Sequence, residues 1–318
     1  MHRYILRRLL TAVPIVLGIT LMTFLIINAA PGDPVDLMVD PMSGATRESI
    51  QGRREALGLN KPLLVRYVLW LKEAGQGNLG YSLVNQQPVL SRIAHRLLPT
   101  IQLTGSALML GILVGIPLGV MSAVRQHSLL DHLATLLAFL GVSSPTFFLG
   151  MGAIYLFSLR LDLFPTAGMQ SLGSTFSLSD RLHHLVLPAL VLSLNTAASL
   201  MRHTRSCMLD VIRQDYVRAA RAKGLTERRV LLKHALQNAL LPVITILGLN
   251  VPRLFAGAVI TEQIFQWPGI GMLTIQAVAS RDYPVLMGVN FFTAILVFVG
   301  SLLADICYSF ADPRIVYR

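Results

Sequence analysis

Charged residues are scarce in this 318-residue chain, at 14% of positions, where soluble domains carry roughly 25%. Hydrophobic residues make up 53%. So apolar a chain has too little polar surface to cover a water-facing globule, and its composition points to a membrane. Acids are the scarcer sign, with 16 Asp and Glu against 27 Lys and Arg for a net charge of +11. That excess raises nucleic acid as a partner, but zinc-finger spacing and interleaved aromatic and basic residues are both missing, so nucleic-acid binding is not expected. Cysteine is nearly absent: Cys207 and Cys307 form no CxxC pair and imply neither a disulfide framework nor a metal site. No Gly-rich phosphate loop is present, so the chain is not expected to bind ATP in that manner. Nor do paired carboxylates stand beside a base. His127 with His132 and the pair His183-His184 lack an acid or thiol at ligand spacing, which argues against a metal centre.

Long hydrophobic runs, by contrast, are abundant. A membrane span needs about 20 mostly apolar residues, and six windows qualify: 9–29, 101–124, 133–159, 185–201, 239–261 and 285–304. The fourth is short and predicts a start near Leu182, and only the fifth holds a charge, Arg253. No strand-like alternation marks a barrel, so the spans are predicted to be helices. The first window exceeds the 7–15 apolar residues of a cleavable signal peptide and is expected to be retained. Pro14, Pro117, Pro145 and Pro252 are expected to kink their spans, with Ser143 and Ser144 available to satisfy freed backbone groups. Gly111, Gly115 and Gly119 recur every four residues, a close-packing face.

Orientation follows from the basic residues near span ends. With the N-terminus inside, the inner segments hold Arg3, Arg7 and Arg8, then Arg125, then nine cations between 202 and 238, then Arg314 and Arg318. The short outer loops hold only Arg160 and Arg181, and Arg281. The outer segment 31–99 holds eight, but long loops cross largely regardless of charge. Both termini are expected in the cytoplasm, of a multi-pass plasma (cell inner) membrane protein. Within 31–99, Gly58 is expected to close a short helix begun near Ser49, and Asn60 to cap a second with Pro62 at its start. Leu63, Leu64, Tyr67, Val68 and Leu71 would share one face of that second helix. The segment reads either as a cap on the membrane face or as a docking surface for an extracytoplasmic partner.

The inner segment 202–238 is the most informative. A helix is predicted from Met208 to Lys223, stopped at Gly224 by a left-handed residue. Thr226 is expected to cap a second helix with Glu227 in its first turn, running into the fifth span. Topology and anionic head groups account for nine cations. They do not account for a sharp corner carrying the small residues Ala219, Ala220, Ala222 and Gly224, which suits a cleft in another protein. Polar residues within the spans, Asn195, Asn250 and Arg253 with Glu262 beyond, are candidates for lining a pathway, and Asp305 ends the sixth span. Arg253 also fits an interhelical ion pair.

Arg218-Ala-Ala-Arg-Ala-Lys-Gly224 resembles the Glu-Ala-Ala-x-x-x-Gly loop of ATP-binding-cassette (ABC) importer permeases, with Arg218 where that pattern has Glu. Asp215-Tyr-Val-Arg-Ala-Ala-Arg-Ala-Lys-Gly224 is similar to the wording of the peptide and nickel branch. Arg7-Arg-Leu-Leu10, Pro31-Gly-Asp-Pro34, Leu57-Gly-Leu-Asn-Lys-Pro62 and Gly77-Asn-Leu-Gly-Tyr-Ser82 resemble that branch in order. So do His234-Ala-Leu-Gln-Asn-Ala-Leu-Leu-Pro242, Glu262-Gln-Ile-Phe-Gln-Trp-Pro-Gly-Ile-Gly271, Arg281-Asp-Tyr-Pro284 and Asp312-Pro313.

The resemblance implies an all-α membrane protein with six transmembrane helices in the type I ABC importer permease fold, and an extracytoplasmic helical insertion between spans one and two. It divides the chain into 1–30 (N-terminal end and first span), 31–99 (outer segment), 97–307 (a five-helix core with coupling loop 205–238) and 308–318 (tail). Asp215, Tyr216, Arg218, Ala219, Ala220, Arg221, Lys223, Gly224 and Leu225 would then meet the ATPase. The implied partners are a second homologous permease, two ABC ATPase subunits, an extracytoplasmic solute-binding protein and membrane lipid. ATP and Mg would sit on the ATPases, leaving this chain without a cofactor and not an enzyme. Peptides are the implied cargo, with nickel chelates or glutathione as alternatives on the same machinery. An ion-coupled secondary transporter would show internal repeats and paired midplane charges, and neither is present.

Overall fold

A computed structural model describes residues 2–29, 51–52, 55, 58, 60–171, 173 and 176–311, less the side chains of 2–7, 245, 248–257 and 303–311. Among these residues every regular element is helical, and the only β pairing is an isolated bridge between Tyr81 and Pro88. In chain order the helices are α1 (His2–Ala29), α2 (Leu63–Gly75), α3 (Val89–Val124), α4 (Leu129–Ser143), α5 (Thr146–Ala153) and α6 (Leu178–Ile212). Then follow α7 (Asp215–Ala222), α8 (Leu236–Ile264), α9 (Ile270–Ala279) and α10 (Tyr283–Ala311). Among the described residues four are long and apolar enough to cross a membrane: α1 from Arg8, α3, α6, and α10 as far as Leu302. A fifth is added if α4 and α5 count as one broken span.

The 133–159 window is therefore not one kinked helix. Pro145 has no N–H to donate and bars the preceding residue from helical geometry. Ser144 accordingly sits at φ −84°, ψ 131°, and α4 and α5 meet at 108°. The fourth window also proves longer than expected. Ser177 caps α6 by accepting from the Asp180 N–H, and the helix runs 35 residues.

The chain forms two compact units, Met1–Leu98 with Met272–Leu296, and Pro99–Gly271 with Val297–Arg318. In the first, Tyr67 on α2 shares a hydrogen bond of 2.9 Å with Thr20 of α1 and donates to the Leu17 carbonyl at 3.0 Å. The inward stripe of α2 is Tyr67, Trp70, Leu71 and Ala74, while Leu63, Leu64 and Val68 are exposed, so the predicted apolar face is rotated. The cap also differs: Pro62 occupies the N-cap position with no side-chain bond, and Asn60 does not cap. The helix expected over 49–58 lies mostly outside the described residues, though Gly58 does take the left-handed φ of +64°. The 31–34 and 312–313 motifs lie wholly outside them.

Asp282, 1% exposed, ties the first unit together. It accepts from Ser82 Oγ, from the Leu83 N–H at 3.0 Å and from Arg92 Nη1 at 3.1 Å. Two motifs about 200 positions apart are thus halves of one buried polar network. The buried carboxylate is stabilised because three donors, one of them cationic, converge on it.

In the second unit the glycine stripe of α3 packs on α6. A Cβ on Gly115 would lie 2.6 Å from the Ala197 carbonyl oxygen, and one on Gly119 equally close to that of Met201. Gly115→Ala should therefore lower stability by about 1–3 kcal/mol through overpacking, read as a fall in the unfolding midpoint of the purified protein. Gly105→Ala, on the same helix with nothing within 4 Å of the added methyl, should not lower it. Equal midpoints for the two variants would refute close packing at Gly115.

Candidate functional site

The segment after α6 folds into the expected corner, but with its first helix broken. Instead of one helix from 208 to 223, α6 ends at Ile212, and Gln214 turns out to φ −72°, ψ 149° before α7 starts at Asp215. The break places Asp215 in the positive first turn of α7. Gly224, at φ +78°, then reverses the chain in a conformation that glycine adopts without steric cost. Thr226 stands at the next N-cap position with no side-chain hydrogen bond. The helical turn Glu227–Arg229 passes into a π-helical stretch, Val230–Ala235, before α8.

Burial divides the corner into an inner and an outer face. Val217 and Val230 are fully buried and Ala220 is 6% exposed, packed with Val211 and Leu225. Ala220 therefore belongs to the packing that holds α7, and not to the outward strip of small residues expected from the sequence. Rephasing at Gln214 is the physical cause. The outer face carries Asp215, Tyr216, Arg218, Ala219, Arg221, Ala222, Lys223 and Gly224.

Two ion pairs stiffen this face. Arg218 pairs with Asp215 within α7. Arg221 reaches across Gly224 and grips Glu227 with two bonds, Nε to Oε2 at 3.1 Å and Nη2 to Oε1 at 2.7 Å. The Arg221 guanidinium holds the Glu227 carboxyl below its ordinary pKa, and the pairing raises that of Arg221. Both groups are water-exposed, so the pair contributes geometry more than energy.

The polar residues proposed for a pathway do not form one group. Asn195 is exposed on α6. Asn250 and Arg253 lie on α8, with side chains outside the described residues. Glu262 is fully buried at the end of α8 and belongs to a clasp. It accepts from Thr100 Oγ1 at 2.7 Å, and the same hydroxyl accepts from the Ile270 N–H at 2.8 Å. Trp267, also fully buried, donates from Nε1 to the Pro99 carbonyl at 2.8 Å. Gly269 and Gly271 press so closely on Glu262 that a Cβ at position 271 would stand 3.0 Å from its Oε2 and 2.5 Å from the Val259 Cα. In this conformation Glu262 braces the α8–α9 turn and faces no open space.

One arrangement gave no signal in the sequence. Asp131, 4% exposed at the start of α4, receives a bidentate grip from Arg205 of α6, at 2.7 and 2.9 Å. It also accepts from Ser122 Oγ of α3 and from the His127 N–H at 3.0 Å. In the sequence Arg205 is only one of nine basic residues between 202 and 238. Among the described residues no group of three or more His, Cys, Asp or Glu is placed to hold a metal.

Comparison with known proteins gives consistent results. Residues 115–317 match the family described as "Binding-protein-dependent transport system inner membrane component", and residues 1–104 match its N-terminal companion, "Binding-prot-dependent transport system membrane comp, N-term". The oligopeptide transport system permease protein AppB of Bacillus subtilis (strain 168) is 48% identical over 319 positions, covering 100% of both chains. A putative peptide permease protein of Brucella suis biovar 1 (strain 1330) is 44% identical over 99% of each. The dipeptide transport system permease protein DppB of Escherichia coli (strain K12) is 39% identical over 100% of each. Among solved structures, an inward-facing form of the MetNI methionine ABC transporter aligns with a TM-score of 0.57 at 18% identity, over 69% of this chain and 96% of that one.

Proposed function

We infer the function from one premise: the chain belongs to the family of binding-protein-dependent transport system inner membrane components. It is a permease component, all-helical among the described residues and built on the type I ABC importer fold. We propose that it forms half of the pathway through which a solute-binding protein delivers peptides, the cargo named for its full-length relatives. The proposed assembly adds a second, similar permease and two ABC ATPase subunits that bind ATP and Mg. Six spans are proposed, with α8, a 29-residue helix over the 239–261 window, as the fifth in chain order. The proposal puts both termini in the cytoplasm and 31–99 outside, between the first span and the core 97–307, with 308–318 as the tail.

The observation that carries the reading is the corner 215–229. A helix of eight residues is too short to hold itself in water, yet this one is fixed by Val217 and Ala220 within and by Arg221–Glu227 across the turn. A fixed projection transmits displacement, and its exposed Tyr216, Ala219, Ala222 and Lys223 are the proposed contact with an ATPase cleft. ATP-driven closure would move the corner and, through α6 and α8, switch the pathway between its two openings. Asn195, Asn250 and Arg253 remain the proposed polar lining of that pathway.

The test is uptake of a labelled tripeptide by cells carrying the whole transporter. Ala219→Glu places a charge on the outer face and leaves the inner packing intact. Uptake should fall by about tenfold or more, the cost of an unpaired charge in an interface, with the amount of this chain in the membrane unchanged. Normal uptake together with normal ATPase co-purification would sink the coupling role.

A further inference from the structure

The 215–229 corner joins α8 through the π-helical stretch Val230–Ala235, and the packing explains why that stretch is wide. Val230 and Ala235, five positions apart, are both fully buried. Leu231 and Leu236, again five apart, both pack on the cluster that holds Ala123 of α3 and Met208 of α6. In an α-helix of about 3.6 residues per turn, residues five apart point about 140° away from each other and do not share a face. Bonding from i to i+5 stacks them, and the Leu236 N–H accordingly reaches the Leu231 carbonyl. The stretch thus holds one residue more than an α-helix needs between the same two buried positions. It also separates two cores. Val230 packs with Val217 and Ala220 inside the corner, whereas Ala235 packs with Ala123, Met208 and Ala239 among α3, α6 and α8. Val211, near the end of α6, touches both and marks where they abut. A second π-helical stretch, Ile154–Arg160, ends α5 and leads into exposed Leu161, Asp162 and Leu163, so it joins no such pair.

We propose that Val230–Ala235 is the joint at which the corner turns relative to α8 during transport, a device that rests on the coupling role given to the corner above. The extra residue makes the turn possible without breaking the helix. The Leu236 N–H can exchange the Leu231 carbonyl for that of Leu232, so i→i+5 bonding passes to i→i+4 and no donor is left unbonded. Each such exchange turns the residues before it about the helix axis and leaves those after it in place. Val230 then travels with the corner core and Ala235 stays with the core of the span. Leu232 and Lys233 are exposed, so their movement disrupts neither core. A continuous α-helix holds no spare residue, and it would carry corner and span as one piece.

Deleting Leu232 removes the spare residue and keeps both ends. Val230 and Ala235 become four apart, a spacing that an α-helix places on one face. The variant should reach the membrane in wild-type amount and co-purify with the ATPases, while ATP-driven tripeptide uptake is lost. Wild-type uptake per molecule in that variant would overturn the proposal and leave the extra residue as a spacer. A second measurement does not depend on the deletion being tolerated. Spin labels are attached at Arg228→Cys and Asn238→Cys, exposed positions on either side of the stretch, in a full transporter whose chain carries Cys207→Ser and Cys307→Ser. Dipolar broadening between the labels should differ between the nucleotide-free transporter and one trapped with ATP and vanadate. Identical broadening in both states would show corner and α8 moving together, and would overturn the joint. The Ala219→Glu test stands apart from these. Loss of uptake there, with wild-type uptake on deleting Leu232, keeps the coupling role and discards the joint.

Discussion

Replacing Trp267 by alanine should destabilise the protein by about 3–5 kcal/mol, the usual cost of emptying a buried aromatic site. The side chain is fully buried against Leu103, Ala107, Ala189, Leu192 and Ala258, so three long helices border the space it fills. Its removal also strands the Pro99 carbonyl, which accepts from Nε1 at 2.8 Å. A stranded buried acceptor adds about 1–3 kcal/mol. Domains retain only about 5–15 kcal/mol in total, so the variant should fall near the threshold of folding. The yield of intact chain in the membrane and the unfolding midpoint in detergent both read this. Trp267→Phe separates the contributions, since it keeps most of the ring and loses the N–H, and it should fall between. Wild-type yield and midpoint in the alanine variant would show that the Glu262–Trp267 turn is not the brace inferred for it.

How far the sequence reveals such features depends on whether their cause is local. The stripe Gly111, Gly115, Gly119 was legible because the absence of side chains every four residues has one common use, close approach of a second helix, here α6. Gly224 was legible because a glycine after an alanine-rich run is a helix stop, and its φ of +78° agrees. Ala220 was misplaced because the phase of an eight-residue helix is set by where it starts. The break at Gln214 is not marked by Gly or Pro, so nothing in the local sequence reports it. Pro145 announced a defect, but its size of 108° depends on how α4 and α5 pack on their neighbours. The Glu262–Gly271 and Arg281–Pro284 motifs could be recognised without being explained. Their chemistry lies in contacts with Thr100, Pro99 and Ser82, more than 160 positions away.

The same distance hid Asp131 and Arg205, which are 74 positions apart. Arg205→Met should cost about 3–5 kcal/mol, because it leaves a buried carboxylate with no cation to balance it. Asp131→Asn should cost less, since the neutral amide still accepts a hydrogen bond and Arg205, 28% exposed, still reaches water. The double variant should be far more stable than the sum of the two losses, because removing both charges removes the uncompensated one. A double-mutant cycle on the unfolding midpoint measures this coupling, and a value near zero would rule out the pair as a unit. The pair also has a mechanical consequence. Arg205 lies two turns before the end of α6 at Ile212, where the chain breaks and enters α7. Asp131 thus fixes the base from which the 215–229 corner projects, holding it to α3 through Ser122 and to α4 through its own backbone. If displacement of the corner drives transport, Arg205→Met should reduce peptide uptake per folded molecule as well as the number of molecules. Uptake that merely tracks the amount of folded protein would confine Arg205 to stability.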